Sequence, residues 1–434
     1  MTKAKPGFVL GVIALGAVVV LALWWHDTTS VRGLGQWLTG AGRILGLLAG
    51  YGVVVLVALM ARLPPVERGV GADRLARWHA MGGRYIVSIV VAHALLIIWG
   101  YAVTANTNVV GESGTLLTQY PDVLMATVAG FLLLGVGIVS MRAARRRMRY
   151  ETWYYLHFYT YLAIALAFSH QFADGASFVN SLGARFWWSA MYLTVALLVV
   201  WYRIVVPWRA FVRHDFRVLG IRDEAPGVVS VYIGGTRLAE LAAEPGQFFR
   251  WRFLTRSLWW SSHPYSLSAA PGRDMLRITV KDLGDHSRSL RYLRPGTRVW
   301  VEGPYGAFTS DRSGRGLVLV AGGVGITPLR AMFASLPGRM TLIYRARSWR
   351  DIVFRDELNA IARARGARVH YVVGSRAELG ADPLTADVLR SLVPGLHKHD
   401  VYVCGPSGMT ATVVSAAQDA GVPRRRIHFE SFEF

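Results

Sequence analysis

The sequence predicts a multi-domain membrane protein: a six-helix transmembrane bundle, an antiparallel β-barrel domain, then a Rossmann-like α/β domain. Three observations carry this. Of the 434 residues, 53% are hydrophobic and 17% charged, too apolar for an ordinary soluble chain, and the apolar residues crowd the first half. Composition changes near Pro207. Beyond it, strand-like runs separated by Gly and Pro turns give way near Gly316 to β-rich runs alternating with helical ones. The expected boundaries are 1–207, 208–311 and 312–434.

Six apolar segments, roughly 8–25, 40–61, 80–103, 122–141, 153–172 and 186–206, are long enough to cross a bilayer. Lys3 and Lys5 ahead of the first resemble a signal peptide. That apolar run is long for one, and no small-x-small cleavage site follows, so it reads as the first span. Fourteen Lys and Arg lie in the N-terminus, 61–78, 142–152 and the stretch after 202, against Arg32 and Arg185 in the opposite loops. The positive-inside rule then places the N-terminus and the C-terminal half in the cytoplasm of a cell or inner membrane. The formal net charge of +21 suits anionic lipid, and no nucleic-acid motif stands out, so no nucleic-acid partner is expected. Cys404 is the sole cysteine, which excludes internal disulfides, cysteine-held iron–sulfur clusters and Cys-based zinc sites.

Four histidines stand inside the apolar segments: His79 and His93 in one, His157 and His170 in another. An imidazole in lipid is costly without a partner. Two helices with two histidines each can hold two stacked haem irons, each taking one nitrogen per helix. Fourteen residues rise ~21 Å, within a ~30 Å hydrocarbon core. By depth the pairs are His79 with His157, inner, and His93 with His170, outer. The thirteen-residue step from His157 to His170 falls ~140° short of whole turns, so tilt, imidazole reach or local distortion has to absorb it. His26, in an outer loop, and His214, at the start of the soluble half, have no such pairing. Arg43 and Arg84 lie within spans. Either is a bidentate partner for a haem propionate, Arg43 could instead attract an anionic acceptor, and both could snorkel to headgroups.

In the second half, His263-Pro264-Tyr265-Ser266-Leu267-Ser268 lies on an expected barrel strand. A tyrosine face can stack on an isoalloxazine while the adjacent hydroxyl bonds its reactive edge, so Tyr265 and Ser266 are expected at the reacting flavin. Leu283-Gly284-Asp285-His286-Ser287 is a pyrophosphate cradle, with Gly284 for the turn. Gly322-Gly323-Val324-Gly325-Ile326-Thr327-Pro328 follows the apolar strand 317–321 and opens a helix, which suits a phosphate. Cys404-Gly405-Pro406 ends a later strand at the same carboxyl edge, where open α/β sheets bind ligands. Phe434 could stack on the flavin until nicotinamide displaces it, while Phe429 and Phe432 pack into the core.

These motifs, in this order, resemble the NADPH oxidase and transmembrane ferric reductase superfamily along nearly the whole chain. The resemblance implies a ferric-reductase-like domain with two b-type haems on His79, His93, His157 and His170. It implies a ferredoxin-reductase-like FAD barrel using His263 to Ser266, and an NAD(P) domain using 322–328 and 404–406. Many related soluble reductases have Arg where this chain has His263, which leaves Lys281, His286 and Ser287 as pyrophosphate partners. Arg345 and Arg347 fall where family members hold the adenosine ribose, and two cations there favour a 2′-phosphate, hence NADPH over NADH. No EF-hand loop or cytosolic-subunit docking segment is evident, as in the minimal prokaryotic form. The expected activity is NAD(P)H oxidation with electrons delivered outside, to oxygen as superoxide, to a ferric chelate, or to a partner protein or quinone.

Overall fold

The computed structural model describes residues 4–27, 31–145, 147–148, 150–179, 181–309, 316–375, 377–379 and 382–431. The chain divides into two compact units, Met1–Val205 and Val206–Phe434.

The first unit is helical: α1 (Pro6–Asp27), α2 (Gly33–Leu59), α3 (Pro64–Val70), α4 (Ala72–Thr104), α5 (Val109–Gln119), α6 (Val123–Ser140), α7 (Arg142–Arg145), α8 (Tyr150–His157), α9 (Tyr159–Asp174), α10 (Ala176–Val179) and α11 (Leu182–Val200). Among the described residues, five helices are long and apolar enough to cross a membrane: Pro6–Trp25, Gly33–Leu59, Ala72–Thr104, Val123–Ser140 and Leu182–His214. The last runs through a π-helical turn, Trp201–Val205. The stretch expected as a span at 153–172 is instead split between α8 and α9, and α9 has only 16 residues. The break is at Phe158. Phe158 N–H bonds Tyr155 O at 3.1 Å and Tyr161 N–H bonds Phe158 O at 3.0 Å, both three-residue steps that tighten the helix locally. Helix α5 was not foreseen in the 104–122 loop.

Glycines let α2 and α4 approach closely. A Cβ on Gly42 would lie 2.9 Å from the Ile97 Cδ1, and one on Gly100 would lie 2.8 Å from the Thr39 backbone nitrogen. Small residues at such crossings are the usual route to tight helix pairs in lipid, where apolar burial offers no drive.

The second unit begins with α12 (Val206–His214) and continues as β1 (Arg217–Ala225), β2 (Val228–Gly234), β3 (Phe248–Phe253), β4 (His263–Ser266), β5 (Met275–Lys281), α13 (Asp285–Ser289) and β6 (Val299–Tyr305). The strands form two antiparallel sheets, β1-β2-β5 and β4-β3-β6, tied by isolated bridges Arg217–Arg298 and Leu267–Ile278. Strand β3 turns Phe249, Trp251 and Phe253 into a core shared with Leu267 and Ile278, all fully buried. Each such side chain contributes about 1.5–3 kcal/mol.

Then follow β7 (Leu317–Gly322), α14 (Ile326–Ser335), β8 (Met340–Ala346), α15 (Arg355–Arg365), β9 (Arg368–Val373), α16 (Ala386–Leu392), β10 (Asp400–Gly405), α17 (Ser407–Asp419) and β11 (Ile427–Ser431). The sheet is parallel throughout, in the order β11-β10-β7-β8-β9. Strand β7 is buried on both faces, which is why it reads as an unbroken apolar run. The order reverses between β7 and β10, so the crevice for a ligand opens where Gly322 and Gly405 end those strands. Phe429 corrects one expectation. It is 45% exposed with the Arg424 guanidinium over its ring, because β11 is an edge strand. Phe432 lies outside the described residues.

Candidate functional site

His79 and His93 sit on α4, His157 ends α8, and His170 lies one turn before the end of α9. His79 Nδ1 lies 3.0 Å from Leu56 O, and His93 Nδ1 lies 2.8 Å from Gly42 O. Both acceptors are α2 carbonyls, so each Nδ1 carries the proton and each Nε2 keeps its lone pair. His170 Nδ1 meets Asp174 Oδ2 at 3.1 Å, with the same result. Locking Nδ1 to an oxygen is how proteins present Nε2 to a metal. His157 Nδ1 is buried without a partner among the described residues. The rings of His79 and His157 come together at 5.9 Å between centroids, and His93 and His170 are electrostatic neighbours. The α8–α9 break at Phe158 falls between His157 and His170, so the two do not stand on one straight helix. Gly46 leaves room for the His93 ring: a Cβ there would lie 2.8 Å from His93 Cε1. Among the described residues no group of three His, Cys, Asp or Glu forms a bare-ion site. Paired imidazoles with free Nε2 atoms suit an iron already held by a macrocycle. Arg43 and Arg84 are exposed on α2 and α4.

In the second unit, β4 lies beside α13. Tyr265 Oη is 3.2 Å from His286 Nδ1, and the His286 ring lies 3.7 Å from that of His263. Burial pushes the Tyr265 phenol above its ordinary range. Burial, then the neighbouring His263, lowers His286 to about 3, so it is neutral. Among the described residues, His286 Nε2 and Ser266 Oγ are both buried without hydrogen-bond partners. Orphan polar atoms on either side of a tyrosine fit a ligand with its own donors and acceptors, as an isoalloxazine and pyrophosphate have.

Three expectations change here. Leu267 and Ser268 turn inward: Leu267 is core, and Ser268 Oγ accepts from Thr279 Oγ1 at 2.7 Å and from Arg277 Nε at 3.2 Å. Their backbone N–H groups are committed as well, Leu267 to Gln247 O at 3.1 Å and Ser268 to Arg277 O at 2.8 Å. Ser287 Oγ holds its own turn, accepting from Leu283 N–H and donating to Gly284 O, both at 2.9 Å. Lys281 is exposed at the end of β5 and Gly284 is exposed before α13, so His286 is the one of the three pyrophosphate candidates that meets β4. Sequence reasoning missed Arg250, which faces Pro264 across β3–β4 and donates through Nη2 to Ser262 O at 3.1 Å. Strand register, invisible in sequence, brings it there.

At the carboxyl edge of the parallel sheet, Gly323 has φ of 55°, a conformation that favours glycine. Gly325 packs onto the Cys404 carbonyl, and its added Cβ would lie 2.7 Å from the Gly405 nitrogen. The two Gly-rich loops are therefore in direct contact. Ile326, Thr327 and Pro328 form the buried first turn of α14, with Thr327 Oγ1 donating to Val324 O at 3.0 Å. Proline is tolerated there because a first-turn N–H has no helical partner. Pro406 is exposed beside the loop. Cys404 differs from expectation: its side chain is fully buried in the core beneath the loop. Arg345 donates to the carbonyls of Ala346 and Val372, while Arg347 is exposed at the end of β8. Phe434 lies outside the described residues.

Such a fold, helices long and apolar enough for membrane spans followed by a barrel and an open parallel sheet, defines a multi-pass membrane oxidoreductase with a flavin–nicotinamide module. Residues 45–168 match the ferric reductase like transmembrane component, 227–309 an FAD-binding domain and 319–415 the oxidoreductase NAD-binding domain. With these three matches in this order, the chain belongs to the NADPH oxidase and ferric reductase superfamily, as an NAD(P)H- and FAD-dependent oxidoreductase of the ferric reductase type. A ferredoxin–NADP reductase B of Sorangium cellulosum is 31% identical over 39% of this chain and 77% of its own length. A flavohemoprotein of Deinococcus radiodurans is 31% identical over 52% of this chain and 60% of its own. The ferredoxin reductase component of a 3-ketosteroid-9-alpha-monooxygenase from Rhodococcus rhodochrous is 29% identical over 44% of this chain, which spans 57% of that relative. The solved FAD/NAD binding domain of a Vibrio cholerae nitric oxide dioxygenase aligns with 50% of this chain and 98% of its own, at 24% identity and a TM-score of 0.43.

Proposed function

We propose that this protein oxidises cytoplasmic NAD(P)H, with NADPH favoured, and passes the electrons through FAD and two b-type haems to an acceptor outside, chiefly oxygen as superoxide. The supporting observation is the histidine set: three of four imidazoles have Nδ1 bonded to an oxygen and so present Nε2. In this reading α8 and α9 together make a sixth span, the basic loops lie in the cytoplasm, and the pairs hold an inner and an outer haem.

When bound, the flavin converts a two-electron hydride into single electrons and the haems carry them through lipid. The protein's own part is positioning. Gly323 and Gly325 let backbone approach a nucleotide phosphate, and the start of α14 favours its charge. Arg347 offers a guanidinium to a 2′-phosphate. Tyr265 presents its ring to the flavin, Ser266 its hydroxyl, and His263 and His286 their imidazoles to the pyrophosphate. His79 with His157, and His93 with His170, would each hold one haem iron, and an iron held by two imidazoles would offer an external acceptor no open coordination site.

The test is an anaerobic spectrum of the purified chain after NADPH and FAD are added. Reduced b-type haem bands should appear and collapse when air enters. A chain without a Soret band after expression with ample haem refutes the reading. Superoxide yield with and without a ferric chelate separates oxidase from ferric reductase. Absence of turnover with either favours delivery to a partner protein or quinone.

A further inference from the structure

The four histidines differ in what stands behind them. His79 and His93 donate to neutral carbonyls, and His157 Nδ1 has no partner among the described residues. His170 alone has an anion, Asp174, one turn on in α9 and 3.1 Å away. Asp174 is also the last residue of α9. A carboxylate there faces the negative end of the helix dipole, so the position is unfavourable on helix grounds alone. A carboxylate accepting from Nδ1 raises the basicity of the imidazole and its donation through Nε2. Stronger donation stabilises the oxidised metal.

We propose that Asp174 is a positioning residue that makes the outer haem, held by His93 and His170, a stronger reductant than its histidines alone would. This rests on the haem-ligand reading above. The carboxylate fixes the His170 tautomer and ring, and it biases the haem that faces the external acceptor toward giving up its electron. Among the described residues, the inner pair has no such group.

The test is an anaerobic redox titration of the full, haem-loaded chain followed at the haem bands. The unmodified chain should show two one-electron waves, and His93→Ala should identify the outer one by removing it. Asp174→Asn should raise that wave by about ten-fold in its equilibrium constant, 59 mV for one electron, and leave the other in place. Asp174→Glu, which restores the charge, should reverse most of the shift. Both waves unmoved in an Asp174→Asn chain that carries both haems overturns the proposal and leaves the haem reading intact. A second readout is electron paramagnetic resonance. Stronger donation compresses the spread of low-spin g values at a fixed ring geometry, so the signal lost in His93→Ala should widen in Asp174→Asn and return in Asp174→Glu. An unchanged signal goes against the proposal. Absence of two waves in the unmodified chain refutes the haem reading itself.

Discussion

Arg277 on β5 and Glu357 on α15 meet fork to fork, with Nη1 at 2.9 Å from Oε1 and Nη2 at 3.1 Å from Oε2. Arg330 on α14 joins the same carboxylate at 2.8 Å. Arg277 is nearly buried, stacks on the Phe354 ring, and donates through Nη2 to Ser268 O at 2.9 Å. One carboxylate thus ties the strand that follows the flavin motif to two helices of the nucleotide domain. Burial pulls the Arg277 guanidinium down, but its bonds to Glu357 outweigh that and raise it. Burial raises Glu357, and the Arg277 bond outweighs it, leaving the carboxyl below its ordinary range.

Glu357→Ala should therefore cost about 3 kcal/mol, the lower end of the range for stripping one partner from a buried pair, because Glu357 keeps some exposure. For a unit of this size that is roughly 6–12 °C in Tm, read as the temperature of flavin release from the full chain. The pH dependence has a definite sign. A folded pKa below the unfolded one means the unfolded state binds more protons, so the contribution is complete above about 4.5 and is lost as pH falls through the folded value. Glu357→Ala should flatten the acid limb of the stability curve. An unchanged limb would mean the triad contributes nothing.

Gly46→Ala places a methyl 2.8 Å from His93 Cε1 and 2.9 Å from its Nδ1. The ring has to leave the Gly42 carbonyl that orients it. A site displaced by even ~1 Å loses its geometry. If the chain carries the two haems proposed above, haem content, measured as the pyridine haemochrome, should fall from two to about one per chain, with the remaining haem still reducible. Retention of both haems would mean His93 is not a ligand.

Much of this was legible in sequence because its causes are local. Unbroken apolar runs such as Leu317–Gly322 can only be buried, and Gly322 to Pro328 marks its own turn. The break at Phe158 was not legible, because 153–172 is an apolar run that reads as one span. What stayed hidden depends on pairs distant in the chain. Nothing local says that Arg277 will find Glu357, that Arg250 will stand across from Pro264, or that Gly42 will offer its carbonyl to His93. Cys404 misled for a related reason. Its position at the sheet edge is clear from sequence, but strand alternation sends its side chain into the core.

Gly325→Ala tests the contact between the two nucleotide loops. Its Cβ would run into the Cys404 carbonyl, which β10 holds rigidly in the sheet, so the loop at 322–328 has to move instead. Flavin should still bind, since β4 is untouched. NAD(P)H-dependent flavin reduction in stopped flow should slow at least about ten-fold through lost positioning. Reduction by dithionite should be unaffected. Equal slowing with both reductants would place the damage at the flavin.

Arg345 and Arg347 look equivalent in sequence and are not equivalent in the fold. The Arg345 guanidinium is committed to the Ala346 and Val372 carbonyls, bracing the ends of β8 and β9. Arg347 is exposed beyond the strand, at the edge where a ribose would lie. Arg347→Ala should raise KM for NADPH about ten-fold, the value of one charge-assisted phosphate contact, and leave KM for NADH where it was. Arg345→Ala should lower thermal stability and affect both nucleotides alike. If Arg347→Ala changes both KM values equally, the 2′-phosphate is recognised elsewhere, and the preference for NADPH loses its basis in this pair.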